Sequence, residues 1–351
     1  MNRAGSARDA LAAPAQGRAA WVGLDRLWWP ALLLALAGGL PFVLSDYRVF
    51  QLTLAASYAI ALLGLNLLTG FNGQISLGHG AFLAVGAYTT AILMEHASVP
   101  YWATVPVAGA VCLAAGFLFG LPALRLQGPY LALATFALSV ATPQLLKHKS
   151  LEHWTGGVQG IVLAKPDAPP WLAGLSQDRW LYCFTLAWAL LMFMLGWNLV
   201  RGRIGRAMVA LREHPAAAQA MGVNAALVKS LTFGVSALYA GVAGALGAVA
   251  VQFVAPDSFN VFLSISLVVG IVVGGLATIQ GAVWGALFIE FMPNVADQLS
   301  KAAPGALYGL LLIVFTIFMP GGVAGFAQQL WRKRQHRTAA GPVTATMEDA
   351  R

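Results

Sequence analysis

The chain has 351 residues, 59% of them hydrophobic and only 10% charged, with a formal net charge of +8. An average soluble domain is roughly 25% charged, so this balance excludes an ordinary globular protein. Long continuous apolar runs exclude a membrane β-barrel, whose strands alternate in polarity, and basic residues scattered between the runs point to membrane lipid and away from nucleic acid.

A membrane-crossing helix needs about 20 mostly apolar residues. In chain order such runs predict ten segments, at 28–45, 50–69, 79–95, 102–121, 129–146, 180–199, 230–252, 259–278, 281–293 and 304–320. The expected fold class is an all-α polytopic membrane protein, with a tail at 1–27, a transmembrane domain at 28–325 and a basic tail at 326–351. The first run ends at Leu44-Ser45-Asp46 without an A-x-A pattern and reads as a retained helix. The ninth is shorter than a full crossing. With both termini cytoplasmic, 15 of the 21 Lys and Arg residues fall on the cytoplasmic side and 6 on the other, the bias expected in a bacterial inner membrane. Two loops exceed simple turns: an external insertion at 147–179 and a cytoplasmic loop at 200–229.

Ten crossings split five and five would give inverted halves, as in many transporters, although no internal repeat supports the split. Glycines recur at four-residue spacing in Gly116 and Gly120, Gly270 and Gly274, and Gly281 and Gly285, with a further run at Gly241, Gly244 and Gly247. Small residues so spaced let membrane helices pack closely.

Titratable groups are few in the predicted crossings: His79 opens the third, and Glu95 and Glu290 fall near predicted outer ends. Ion-coupled transporters rely on such groups, so their scarcity favours an outside energy source over a secondary transporter. No Gly is followed by Lys, which removes any G-x-x-x-x-G-K-[ST] phosphate loop and with it an ATPase activity of this kind. Cys112 and Cys183 lie in apolar runs, where a thiol acts as a small hydrophobe, so neither a disulfide nor a metal site is expected.

From Leu62 to Tyr88 the run LLGLNLLTGFNGQISLGHGAFLAVGAY breaks apolar helix with glycine and polar residues. Irregular backbone at membrane depth survives only where it is buried in protein or lines a watery cavity. Asn66, Asn72, Gly73, Gln74, Ser76, Gly78 and His79 are therefore candidates for a translocation pathway, and a helix starting here would aim its positive dipole end at a carboxylate. A plain cytoplasmic turn fits the same residues. Ser76 and His79 at i, i+3 lack a third orienting group, which disfavours an intramembrane hydrolase.

The loop from Arg201 reads RGRIGRAMVALREHPAAAQAMGVNAALVKSLTFG. Pro215 suits the first turn of a short helix, Gly222 its left-handed stop, and Asn224 the cap of the next membrane helix. Such a short surface helix, fixed to a membrane helix, transmits motion from a partner; an amphipathic connector anchored by Arg201, Arg203 and Arg206 is the plainer alternative.

The runs Asn66 to Tyr88, Trp154-Thr155-Gly156-Gly157-Val158-Gln159-Gly160-Ile161, and Val272 to Leu287 resemble the permease family of bacterial branched-chain amino acid ABC transporters, the second run in its larger, LivM-type form. The 200–229 loop resembles that class's EAA coupling motif: Ala217, Ala218 and Gly222 keep its spacing, Ala216 replaces its glutamate, and Arg212 and Glu213 precede it. The resemblance implies an ABC importer permease fold without a bound cofactor, and a complex with a second permease, two cytoplasmic ATPase subunits that use ATP, and a periplasmic binding protein. It implies passage of Leu, Ile or Val; permeases for urea or short amides look nearly the same. Thr155, Gly156, Gly157 and Gly160 are then candidate contacts for the binding protein, or else a structural plug over the outer mouth.

Overall fold

The computed structural model describes residues 38–299, apart from 125, 127 and 170–174, and scattered positions between 309 and 325. The predicted first and tenth crossings and both tails lie wholly or largely outside the described residues. The chain divides after Val43 into two units, and residues 38–43 of the first are helical. Everything below concerns the second.

That unit is a bundle of membrane helices. In chain order it has α1 (Asp46–Asn66), which continues into a π turn (Leu67–Phe71), then α2 (His79–Ala97), α3 (Tyr101–Ala123) and α4 (Pro129–Leu146). A short α5 (Glu152–Thr155) and β1 (Ile161–Val162) lead to α6 (Gln177–Arg201), α7 (Arg203–Glu213) and α8 (Pro215–Ala220). The chain ends its described bundle with α9 (Ala225–Val251), β2 (Phe253–Val254), a 3₁₀ turn (Pro256–Phe259), α10 (Val261–Gly274) and α11 (Ile279–Leu299). Five described helices are long and apolar enough to cross a membrane: Asp46–Phe71, Tyr101–Pro122, Pro129–Leu146, Gln177–Arg201 and Ala225–Val251.

The turn between the eighth and ninth predicted crossings moves, for a local reason. The eighth crossing stops at Gly274, well short of 278, and the ninth starts at Ile279 and runs to Leu299, far longer than expected. Between them Gly275 at φ +123° and Ala277 at φ +57° force a tight reversal that apolarity alone does not reveal. The expected all-α class also gains one small exception, the two-residue strands β1 and β2, which pair antiparallel with Ile161 opposite Val254. The helix α7 is absent from the sequence reading of the 200–229 loop.

Helix α9 is the centre of the bundle, packed against α1, α2 and α3. Lipid tails are as apolar as Leu, so membrane helices associate through close packing and hydrogen bonds. The glycine pairs supply that packing. A Cβ on Gly86 of α2 would overlap the Gly241 backbone, one on Gly244 the Leu83 backbone, and Gly116 and Gly120 of α3 lie against Ala237 and Ser230. Gly270 and Gly274 of α10 face Gly285 and Gly281 of α11 in the same way, so the two pairs read from the sequence are each other's partners.

Side-chain contacts sort the loops into two ends. At one end Arg179 reaches Asp46, Lys147 pairs with Asp257 at 2.5 Å, and β1 meets β2. At the other, the π turn, α7 and the Gly275–Thr278 reversal come together.

Candidate functional site

The seven candidates between Asn66 and His79 engage different partners. Asn66 is fully buried and holds the α10–α11 reversal: its Nδ2 donates to the Thr278 carbonyl at 2.8 Å and the Gly275 carbonyl at 3.4 Å, and its Oδ1 accepts from the Ala277 N–H at 2.8 Å. Such a clamp satisfies backbone groups that a reversal inside a bundle would otherwise orphan. Both polar atoms of the Asn66 amide are engaged in this clamp.

Beyond the π turn the chain turns back into the bundle. Gly73 takes φ +73°, and Thr69 Oγ1 donates to the Gln74 carbonyl at 3.0 Å, closing the loop. Residues 74–78 are non-helical and re-enter beside α4: the Leu77 N–H donates to Thr135 Oγ1 at 2.9 Å, and Ser139 Oγ donates to the Leu77 carbonyl at 2.7 Å. A Cβ on Gly78 would meet the Thr135 carbonyl oxygen at 2.8 Å, which is why this position carries no side chain. α2 then starts at His79, whose Nε2–H donates to the Ala61 carbonyl at 3.0 Å. Ala61 precedes Phe71 by ten residues, and at about 1.5 Å per residue α2 begins roughly 15 Å inside the bundle from the end of the π turn. Ser264 Oγ accepts from the Gly80 N–H at 3.0 Å and meets Ser139 Oγ at 2.8 Å. Thus Thr135, Ser139 and Ser264, none of them among the sequence candidates, satisfy the polar groups of the re-entrant segment, as protein-buried irregular backbone at membrane depth requires. Ser76 Oγ accepts from the Gly78 N–H while His79 binds Ala61, so the two engage separate partners. Asn72 is buried with both side-chain amide atoms unpaired.

The 200–229 loop meets this segment directly. α7 buries Gly205, Met208 and Leu211 and aims Arg212 at the π turn, where its Nη1 donates to the Gly70 carbonyl at 2.6 Å. The Arg212 stem lies over Gly73, leaving no room for a Cβ there, and its Nη2 contacts Glu213 at 3.3 Å. Gln74 Nε2 donates to the Lys229 carbonyl at 3.4 Å, tying the same segment to the root of α9. Arg212 of the coupling candidates is therefore in contact with Gly73 of the pathway candidates.

Beyond Glu213, α8 forms as the sequence predicts. Pro215 opens it; Gly222, at φ +85°, closes it with its own N–H bonded to the Gln219 carbonyl at 2.9 Å and the Val223 N–H bonded to the Ala218 carbonyl at 3.0 Å. This pair of bonds is the Schellman stop. Asn224 Oδ1 accepts from the Leu227 N–H and caps α9. Ala218 is buried, whereas Ala216, Ala217, Ala220 and Met221 are exposed, Met221 at 86%. The α8 turn is thus a small projecting knob on a rigid root.

At the opposite end, Thr155 Oγ1 donates to the Leu146 carbonyl at 2.8 Å and accepts from the Gly157 N–H at 3.2 Å. Gly156, Gly157 and Gly160 all take positive φ, folding the turn onto Val254 of β2. These four candidates hold the insertion to the bundle. The exposed residues of the turn are Trp154, Val158 and Gln159.

The chain matches, over residues 47–319, the family described as Branched-chain amino acid transport system / permease component. It belongs to that permease family. It is similar to the high-affinity branched-chain amino acid transport system permease protein LivM of Escherichia coli K12, 33% identical over 313 residues covering 83% of this chain and 73% of that protein. The permease protein LivH of Salmonella typhimurium is 25% identical over 295 residues, 78% of this chain and 92% of LivH. A third relative, the autoinducer 2 import system permease protein LsrC of Salmonella paratyphi B, is 28% identical over 56% of this chain and 58% of its own. No solved structure matches. Family membership and the apolar helices make the chain a multi-pass membrane permease.

Proposed function

We propose that this permease forms the passage for branched-chain amino acids in an ABC importer, beside a second permease, with two ATPase subunits at the α7–α8 end and a binding protein at the insertion end. Both termini and the 200–229 loop are cytoplasmic in this reading, which the distribution of Lys and Arg supports. The ten-crossing arrangement remains part of this reading.

The observation that carries the reading is the Arg212 hydrogen bond to Gly70. α8 projects an apolar, tightly stopped turn for an ATPase to grip; α7 is its rigid root; Arg212 and Gln74 connect that root to the segment that re-enters the bundle. A push on α8 is therefore delivered to irregular backbone at membrane depth. Charge-assisted hydrogen bonds are roughly twice as strong as neutral ones, which suits a contact that must transmit force. Energy then comes from the partners, consistent with the missing phosphate loop.

The test is uptake by proteoliposomes holding the complete complex. Leucine accumulation that needs luminal ATP and external binding protein is the expected result. Accumulation driven by an ion gradient without ATP contradicts the proposal.

A further inference from the structure

A cavity of about 200 Å³ lies between α1, α9 and α10, with Phe253, Val254 and Phe259 of the β2–3₁₀ segment on one side. Gly247 keeps it open. A Cβ on Gly241 or Gly244 would overlap neighbouring atoms, whereas one on Gly247 would meet only Ser57 Oγ, at 3.6 Å. The third glycine of this run therefore packs against nothing and borders space. A cavity near 150 Å³ is enough to hold benzene, so this one accommodates an isobutyl or sec-butyl group.

Tyr58 lines the cavity and connects it to Glu290, a carboxylate in the middle of α11. α1 and α11 run side by side: Leu62 packs on Gly285 and Gly270, so Tyr58, one turn along α1, comes level with Glu290, just over one turn along α11. Glu290 and Tyr58 are within electrostatic reach of each other. Glu290 is half-buried and takes part in none of the ion pairs among the described residues. Pro293 removes the helical donor to the Ile289 carbonyl, the acceptor one residue before Glu290. Intramembrane carboxylates are rare and face a partner charge or a watery passage. The predicted crossing at 281–293 puts Glu290 near an outer end; the continuation of α11 to Leu299 puts it at mid-helix.

We propose that the cavity receives the branched aliphatic side chain of the passing amino acid while Glu290, with Tyr58 and the Ile289 carbonyl, faces its α-ammonium group. This rests on the function proposed above and adds a selective site within the permease itself.

The test uses the complete complex in ATP-loaded proteoliposomes with saturating binding protein. Gly247→Val reduces the cavity from a position where a Cβ meets only Ser57 Oγ, and leucine uptake falls about tenfold relative to valine, the effect of one methylene in a tight pocket. Gly247→Ala, a milder change for the case where the valine variant assembles poorly, moves the same ratio in the same direction. Glu290→Gln lowers uptake of both substrates at least about tenfold while the assembled complex still hydrolyses ATP. Wild-type liposomes that take up no leucine with ATP remove the proposed function and this site together. Wild-type uptake with an unchanged leucine-to-valine ratio in both Gly247 variants, or an unchanged rate in Glu290→Gln, overturns the site alone.

Discussion

Replacing Asn66 by alanine separates a clamp from a pathway residue. The substitution removes two hydrogen bonds at 2.8 Å and one at 3.4 Å to the Gly275–Thr278 reversal. Hydrogen bonds between membrane helices average about 0.6 kcal/mol and reach about 1.7, and leaving the Ala277 N–H without a partner adds about 1 kcal/mol or more. The expected loss is roughly 2–4 kcal/mol. Unfolding in mixed detergent micelles, followed by tryptophan fluorescence, measures the change. Uptake corrected for the amount of folded complex should keep its wild-type KM, because both polar atoms of the Asn66 amide are engaged in the clamp. A stability within about 0.5 kcal/mol of wild type, the range of neutral surface changes, or a changed KM in well-folded complex, refutes the clamp.

Three further outcomes follow from single positions. Gly222→Val places a β-branched residue at φ +85° in open space, so its cost is backbone strain of about 1–3 kcal/mol; ATPase co-purification should drop, while Gly202→Val, at φ −73°, stays near wild type. Equal behaviour of the two removes support from α8 as the docking turn. Gly78→Leu drives a side chain into the Thr135 carbonyl and should abolish uptake in an assembled complex; near-normal uptake means that the re-entrant segment is only a tolerant turn. In intact spheroplasts an impermeant thiol reagent should label a cysteine at exposed Val158 and miss one at exposed Ala216, and the reverse pattern overturns the orientation.

Local features of this chain were legible because their causes are local. The Pro215 to Asn224 stretch specifies start, stop and next cap within ten residues, and the structure realises each. The glycine pairs announced close packing, although not their partners, since Gly274 against Gly281 depends on a reversal whose strain resides at Gly275 and Ala277. What sequence patterning could not show is pairing across distance. Asn66 reads as a polar interruption suited to a passage until its three partners, more than 200 residues away, are known. Thr135, Ser139 and Ser264 look like ordinary small polar residues of apolar helices, and only the re-entry of residues 74–78 gives them a task. Arg212 is a candidate for contact with an outside ATPase, and its hydrogen bond to Gly70 within the chain itself is invisible to sequence patterning.

That inward contact is the most direct point of attack. In the reconstituted complex, Arg212→Ala should leave the ATPase subunits bound and hydrolysing ATP, because α8 keeps its Schellman stop, while leucine transported per ATP hydrolysed falls severalfold, the loss of a charge-assisted hydrogen bond. An unchanged ratio of transport to hydrolysis would contradict coupling through Arg212 and Gly70.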